Sequence, residues 1–499
     1  MIVGAGLSGI GAGCHLRQRH PRKSFVILEG RNAMGGTWDL FRYPGVRSDS
    51  DMYTLGYRFR PWRNAKAIAD AKSILNYIRE TAAEFGIDKE IRYGHRVRHA
   101  AWSTADALWT VQVDTGAAET VLPSKQKPDR EGGLEVEAEK TVARFTCSFI
   151  YLCTGYYDYE AGYTPVWSGL KRFRGQIVHP QKWPEDLDYE GKRVVVIGSG
   201  ATAVTLVPAM AERAAHVTML QRSPTYVVSR PAEDKIANTL RRVLPAGAAY
   251  ALTRWKNVFL QMFFYNLARR RPDVFKWMLA RGVRNQLGEQ YDARHFTPKY
   301  NPWDQRLCLV PDSDLFKSIN EGRATVVTDQ IENFTERGLQ LKSGEHLDAD
   351  IIVTATGLVL KLMSGLRLSV DGAPVEISKT ITYKGMMYSD VPNLASAFGY
   401  TNASWTLKCD LTSEYVCRLL QYMDQHGYAQ CTPRMNDPEV TPEPAIDFNS
   451  TYVLRALHTL PQQGSKTPWR VHQNYVKDLS MLRYGRVDDG AMEFMPAPK

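Results

Sequence analysis

Apolar residues in this chain come in short unbroken runs, each stopped by glycine or by a charge. Ile2-Val3 leads into Gly4-Ala5-Gly6-Leu7-Ser8-Gly9, and Phe25-Val26-Ile27-Leu28 stops at Glu29. Farther on, Val194-Val195-Val196-Ile197 leads into Gly198-Ser199-Gly200-Ala201-Thr202-Ala203, and Val217-Thr218-Met219-Leu220-Gln221 stops at Arg222. Phe149-Ile150-Tyr151-Leu152 and Ile351-Ile352-Val353 run into matching turns, Thr154-Gly155 and Thr356-Gly357. Runs of this kind, alternating with helix-compatible stretches, predict the buried parallel strands of an α/β protein. From about 231 to 299 the pattern is helical. The expected fold is α/β, two nested Rossmann-like dinucleotide-binding domains with a helical insertion. Its expected parts are a first domain over 1–155, a linker over 156–190 and a second domain over 191–230 and 300–384. The insertion over 231–299 interrupts that second domain, and 385–499 returns to the first. The polar stretch from Gly116 to Lys140, with Pro123, Pro128, Gly132 and Gly133, is expected as a surface hairpin or loop.

The two glycine-rich turns carry the first chemistry. Each follows an apolar strand and opens a helix, the setting in which such a turn binds a dinucleotide. Gly4, Gly6 and Gly9 at the first turn, and Gly198 and Gly200 at the second, let the backbone approach a pyrophosphate resting on the helix N-terminus. Ala203 takes the place of the third glycine at the second site. Glu29 can accept hydrogen bonds from the hydroxyls of a free ribose, whereas Arg222 suits a ribose carrying a 2′-phosphate. The pair therefore reads as one site for FAD and one for NADPH, and the chain as an electron-transfer enzyme. Only three residues precede Gly4, fewer than the five or six usual for a strand. That shortness favours a natural chain beginning upstream of Met1.

Composition narrows the remaining classes. At 499 residues the chain suits two or three domains, and 44% hydrophobic with 23% charged residues is globular. No stretch approaches the roughly 18 apolar residues of a membrane span, and no secretory signal precedes the first strand. Seven scattered cysteines fit a reducing cytoplasmic interior. Cys147 and Cys153 are too far apart for a redox motif and read as buried strand thiols. The net charge is +10, yet no nucleic-acid motif accompanies it. Between Leu240 and Arg284, basic residues alternate with Trp255, Phe259, Phe263, Phe264 and Tyr265. Two readings fit this segment: a helical subdomain with its apolar face buried, which is favoured, and a basic amphipathic surface for peripheral membrane contact.

Two further stretches resemble one family. Phe173-Arg174-Gly175-Gln176-Ile177-Val178-His179-Pro180-Gln181-Lys182-Trp183-Pro184 fits the F-x-G-x-x-x-H-x-x-x-W-[PD] pattern of Baeyer–Villiger monooxygenases, class B flavoproteins using one FAD and NADPH. Gly35-Gly36-Thr37-Trp38, continuing through Arg42-Tyr43-Pro44-Gly45 to Asp49, fits a second pattern of the same family. The resemblance covers nearly the whole chain. It implies oxygen insertion through a C4a-peroxyflavin, turning ketones into esters and oxidising sulfides or thioamides. It also implies that Gly36, Thr37 and Trp38 bind cofactor. Arg306, in Asn301-Pro302-Trp303-Asp304-Gln305-Arg306, would hold the peroxyflavin anion and the tetrahedral ketone adduct, positioned by Asp49. A fixed, forked cation suits that task. Asp49 also reads as a helix N-cap. His179 is implied to link the nucleotide domains as a hinge residue without transferring protons.

One departure is Gln305, where many members carry a Lys that helps hold the 2′-phosphate; NADPH preference would then lean on Arg222, with Ser223 and Thr202 near the turn. Tyr400 and Trp405 are candidates for shaping the substrate pocket, and Trp469 for folding over the cofactor. A heteroatom-only flavin monooxygenase is the nearest competing reading. A disulfide reductase is excluded, since it needs a close cysteine pair on the flavin side, and a non-catalytic membrane-associated flavoprotein is remote. The expected partners are O2 and a small ketone or sulfur compound, with no metal; oligomerisation is left open.

Overall fold

The computed structural model describes residues 1–116, 141–305, 307–446 and 450–498. Two five-stranded parallel sheets organise them. The first has the order Leu394–Ser396, Ile150–Leu152, Ile2–Val3, Ile27–Leu28, Ile91–Arg92. The second runs Ala324–Thr328, His216–Gln221, Arg193–Ile197, Ile351–Thr354, Gln176–Val178. The strands opening the two glycine-rich turns, Ile2–Val3 and Arg193–Ile197, sit centrally in their sheets. Each is therefore buried on both sides, as its unbroken apolar run requires. The fold is the nested α/β arrangement read from the pattern.

The helix Leu7–Arg19 leaves the first turn and packs on the long helix Trp405–His426, whose first thirteen residues after Trp405 are almost all buried. A third sheet, Ala373–Pro374, Arg367–Val370, His95–Ser103, Leu108–Thr115 and Thr141–Cys147, covers the other side of the first half. Beyond Gly116, the expected surface hairpin lies outside the described residues. The chain rejoins this half at Arg367–Val370, earlier than the expected boundary near 385, because that strand pairs in parallel with His99 to Trp102.

The matching Thr-Gly turns acquire a physical reason. One residue after Gly155 comes the strand Tyr157–Gly162, and directly after Gly357 comes Leu358–Leu360; the two pair antiparallel. The chain thus leaves each parallel sheet through a Thr-Gly turn and the exits meet in one ribbon. The expected linker does more than connect: its Gln176–Val178 forms the edge strand of the second sheet.

The insertion folds as helices Lys235–Val243, Ala246–Arg270, Pro272–Leu287 and Ala293–Phe296. Helix Ala246–Arg270 buries Tyr250, Arg254, Asn257 and Val258 against the first half. Arg254 is held there by the carbonyl oxygens of Tyr53 (2.7 Å) and Gly56 (2.8 Å) and by Asp410 at 3.5 Å. The favoured sequence reading, an apolar face fully buried, holds for one side only. Leu252, Trp255, Phe259 and Phe263 recur at intervals of three and four on the opposite side and are exposed. Among the described residues no helix is long and apolar enough to cross a membrane.

Candidate functional site

At two positions of the first turn only glycine fits. Gly4 has φ +102°, and a Cβ there would lie 2.5 Å from the Cys153 carbonyl oxygen, while one on Gly9 would collide with the Gly4 carbonyl. Gly6 caps the helix Leu7–Arg19 with no side-chain hydrogen bond, so the helix N–H groups keep their capacity for an anion. Glu29 is buried at the end of its strand, where its carboxylate accepts from Ala5 N (2.8 Å) and Arg31 N (2.9 Å). Burial still raises its pKa, outweighing the two donors. A carboxylate has about four acceptor sites, so ribose hydroxyls fit beside these two bonds.

The second turn repeats the construction. A Cβ on Gly198, at φ +136°, would collide with the Ala355 carbonyl oxygen, and Gly200 caps helix Ala201–Met210 without a side-chain bond. Ala203 is buried and fills the third glycine's place without conflict. The Ser199 hydroxyl reaches the Ser223 carbonyl oxygen (3.2 Å) and Thr225 Oγ1 (2.7 Å), which fixes Arg222 and Ser223 beside the turn. Arg222 is exposed and forms no ion pair among the described residues. Both turns thus fit a dinucleotide: a strand-end glycine that no other residue can replace, an uncapped helix N-terminus, and a strand-end residue of the right charge for each ribose.

The two turns open into one cavity of about 300 Å³. Gly6, Gly36, Thr37 and Trp38 line it from the first half, Ala201, Thr202 and Thr205 from the second, and Asp49 lies in the wall. Asp51, rather than Asp49, caps the following helix, accepting from Thr54 N at 3.0 Å. Tyr400 and Trp405 both line the cavity. The Trp405 indole N–H donates to Ser8 Oγ (2.8 Å) and its ring stacks on Tyr156 at 5.0 Å. Tyr400 donates to Asp478 Oδ2 at 2.6 Å.

Sequence reasoning missed the tyrosines after the first Thr-Gly turn. Tyr156, Tyr157 and Tyr159 all line the cavity, and burial raises the pKa of Tyr159, whose hydroxyl is 3.5 Å from Thr37 Oγ1. Their density directly behind a strand-ending glycine was the available signal. A second cavity of about 270 Å³ shares Tyr400 and Ala403 with the first. Gln261 of the insertion and Gln473 of the C-terminal segment line it, and neither stood out in the sequence.

Other predicted residues lie elsewhere. Phe173 is buried in the core of the second sheet, Gly175 sits against its ring and the Asp350 carbonyl, and Trp183 packs on the second-half core. His179 is half-buried; its Nδ1 accepts from Gln181 N (3.2 Å) and burial lowers its pKa. Its ring lies against Gly162 of the ribbon, so closely that a Cβ there would overlap the imidazole. None of these four lines the cavity. Trp469 is buried edge-on against Tyr383 (5.6 Å) and also stays out of the cavity wall, which corrects its expected place over the cofactor. Arg306 lies outside the described residues. No metal-ligand cluster occurs among those described.

Residues 67–385 match the flavin-binding monooxygenase-like family, and residues 2–70 an NAD(P)-binding Rossmann-like domain. The chain belongs to the flavin-binding monooxygenase-like family. This flavin monooxygenase is 53% identical to the FAD-containing monooxygenase EthA of Mycobacterium tuberculosis over 500 residues, covering 100% of this chain and 98% of that one. It is 51% identical to EthA of Mycolicibacterium smegmatis, covering 99% and 96%. Its fold matches a steroid monooxygenase solved with NADP (TM-score 0.76, 22% identity, 99% of both chains). It also matches cyclohexanone monooxygenase (TM-score 0.71, 19% identity, 99% and 98%).

Proposed function

We propose that this enzyme is an FAD-containing, NADPH- and O2-dependent monooxygenase that converts ketones to esters and oxidises sulfides and thioamides. The observation that carries the reading is the shared cavity: both glycine-rich turns open into one chamber, with Asp49 in its wall. The FAD-containing relatives support the flavin assignment at the first turn. Bound there, FAD and NADPH would supply hydride transfer, O2 reduction and delivery of one oxygen atom to the substrate, the other leaving as water.

The protein's own residues orient and shield. Gly6 and the helix behind it hold the FAD pyrophosphate, and Glu29 holds its ribose. Gly200, Thr202, Arg222 and Ser223 hold NADPH. Trp38, Tyr156 and Trp405 make an aromatic wall that limits water. Arg306, assigned from its motif, stabilises negative charge on oxygen, and Asp49 orients it. His179 couples the ribbon to the second sheet as a hinge. The domain division is proposed as 1–155 with 367–499 for FAD, and 191–230 with 300–366 for NADPH, with 156–190 as a linker that lends the second sheet its edge strand and 231–299 as insertion. None of the seven cysteines is joined in a disulfide, which supports a cytoplasmic setting.

Steady-state kinetics test the assignments. Arg222→Ala raises the NADPH KM more than roughly tenfold and leaves the NADH KM nearly unchanged, because a charge-assisted phosphate bond is lost. An unchanged NADPH KM places the phosphate elsewhere. Arg306→Ala keeps FAD bound but abolishes oxygenated product; retained product removes Arg306 from the mechanism.

A further inference from the structure

Charge and exposed apolar surface both concentrate in the helical insertion. Residues 235–284 contain eleven Lys or Arg and a single acid, Asp273; Arg254 is buried beside Asp410, and Lys256 and Arg269 pair with Asp234 and Asp304 outside the segment, which leaves a surplus of seven at the surface. Counted by sequence alone, the segment's surplus of ten equals the net charge of the whole chain. Of the eighteen large hydrophobic residues exposed among those described, ten lie between Ile236 and Met278. They include Phe259 (55% exposed), Phe263 (60%) and Trp277 (58%). Aromatic rings this exposed and this clustered cost free energy in water unless something covers them.

We infer that this face docks onto an anionic lipid bilayer. The two components are those of an interfacial helix: an apolar stripe to enter the acyl boundary and cations to meet headgroup phosphates. In helix Ala246–Arg270 the stripe of Leu252, Trp255, Phe259 and Phe263 points away from the buried side, and Arg269, Arg270 and Arg271 end it. Helix Pro272–Leu287 likewise buries Phe275, Leu279 and Val283 while exposing Val274, Trp277 and Met278, with Arg281 over the Trp277 ring at 5.2 Å. Self-association through this face is disfavoured, since it would bring two surfaces of surplus positive charge together.

The same surface borders the second cavity. Trp255 contacts Tyr475, a lining residue, at 5.7 Å, and Val258, Gln261 and Met262 on the inner side of the helix line that cavity. Docking would set the insertion between lipid and cavity, so membrane-dissolved apolar substrates would be favoured. That consequence rests on the monooxygenase reading; the docking itself does not.

The test is co-sedimentation of the FAD-loaded enzyme with vesicles, read without turnover. The wild type pellets with phosphatidylglycerol vesicles at low salt, and roughly tenfold less with pure phosphatidylcholine or at high salt. Phe259→Ser/Phe263→Ser and Arg270→Glu/Arg271→Glu each cut binding by roughly tenfold or more, with the flavin absorbance per protein unchanged. A wild type that stays in the supernatant, or that binds both vesicle types equally, overturns the inference. So does a result in which the Phe variant binds like wild type and polyglutamate competes fully, which would assign the face to an acidic macromolecule.

Discussion

At the scale of single residues, the site is built by what is absent as much as by what is present. Gly162 leaves room for the His179 ring, so Gly162→Ala should push the imidazole out of the ribbon. The expected result is a lowered Tm together with a raised NADPH KM at normal FAD content; a variant unchanged in both would detach His179 from cofactor handling. Burial lowers the pKa of His179, His295 and His472. These rings stay neutral in the fold while the unfolded chain takes up protons below about pH 6.5, so acidification favours unfolding. Thermal denaturation should show stability falling as pH drops through that value, and His179→Gln should weaken the slope. The glycines, Glu29 and Arg222 were legible in the sequence because their roles depend on local spacing. The tyrosines at 156, 157 and 159 were not, because nothing local says which strand-following aromatics turn toward a cavity.

Single elements are tied together by polar groups withdrawn from water. Lys408 and Asp478 are both buried and 2.8 Å apart, joining helix Trp405–His426 to the C-terminal segment, and Asp478 also accepts from Tyr400. Lys408→Met would strand the carboxylate, a loss of about 3–5 kcal/mol measurable by denaturant unfolding. A loss below about 1 kcal/mol would mean the pair does not tie the helix to the C-terminal segment. Asp51 plays a related part, capping Met52–Leu55 while accepting from Asn257 (2.9 Å) and Gln261 (3.0 Å) of the insertion. The parallel strands and the two glycine-led helices were legible as elements, since both faces of each strand are buried and the pattern is unbroken. Helix Ala246–Arg270 was legible as a helix but its orientation was not. It carries apolar residues on both sides, and periodicity alone does not say which side meets the protein.

Across the whole molecule, the two sheets are joined by paired exits, and the cavity lies where their glycine-rich turns face one another. The repeated Thr-Gly turns disclosed the nesting, while the ribbon they form required the three-dimensional pairing. The central claim is that this shared chamber inserts one oxygen atom from O2 into a ketone. The most direct measurement incubates the yellow enzyme with NADPH, phenylacetone and 18O2 and follows the product by mass spectrometry, with a thioether in parallel. The account predicts an ester carrying one 18O, formed in step with NADPH oxidation, and a sulfoxide from the thioether. Sulfoxide without ester, or NADPH consumed only to hydrogen peroxide, would contradict it.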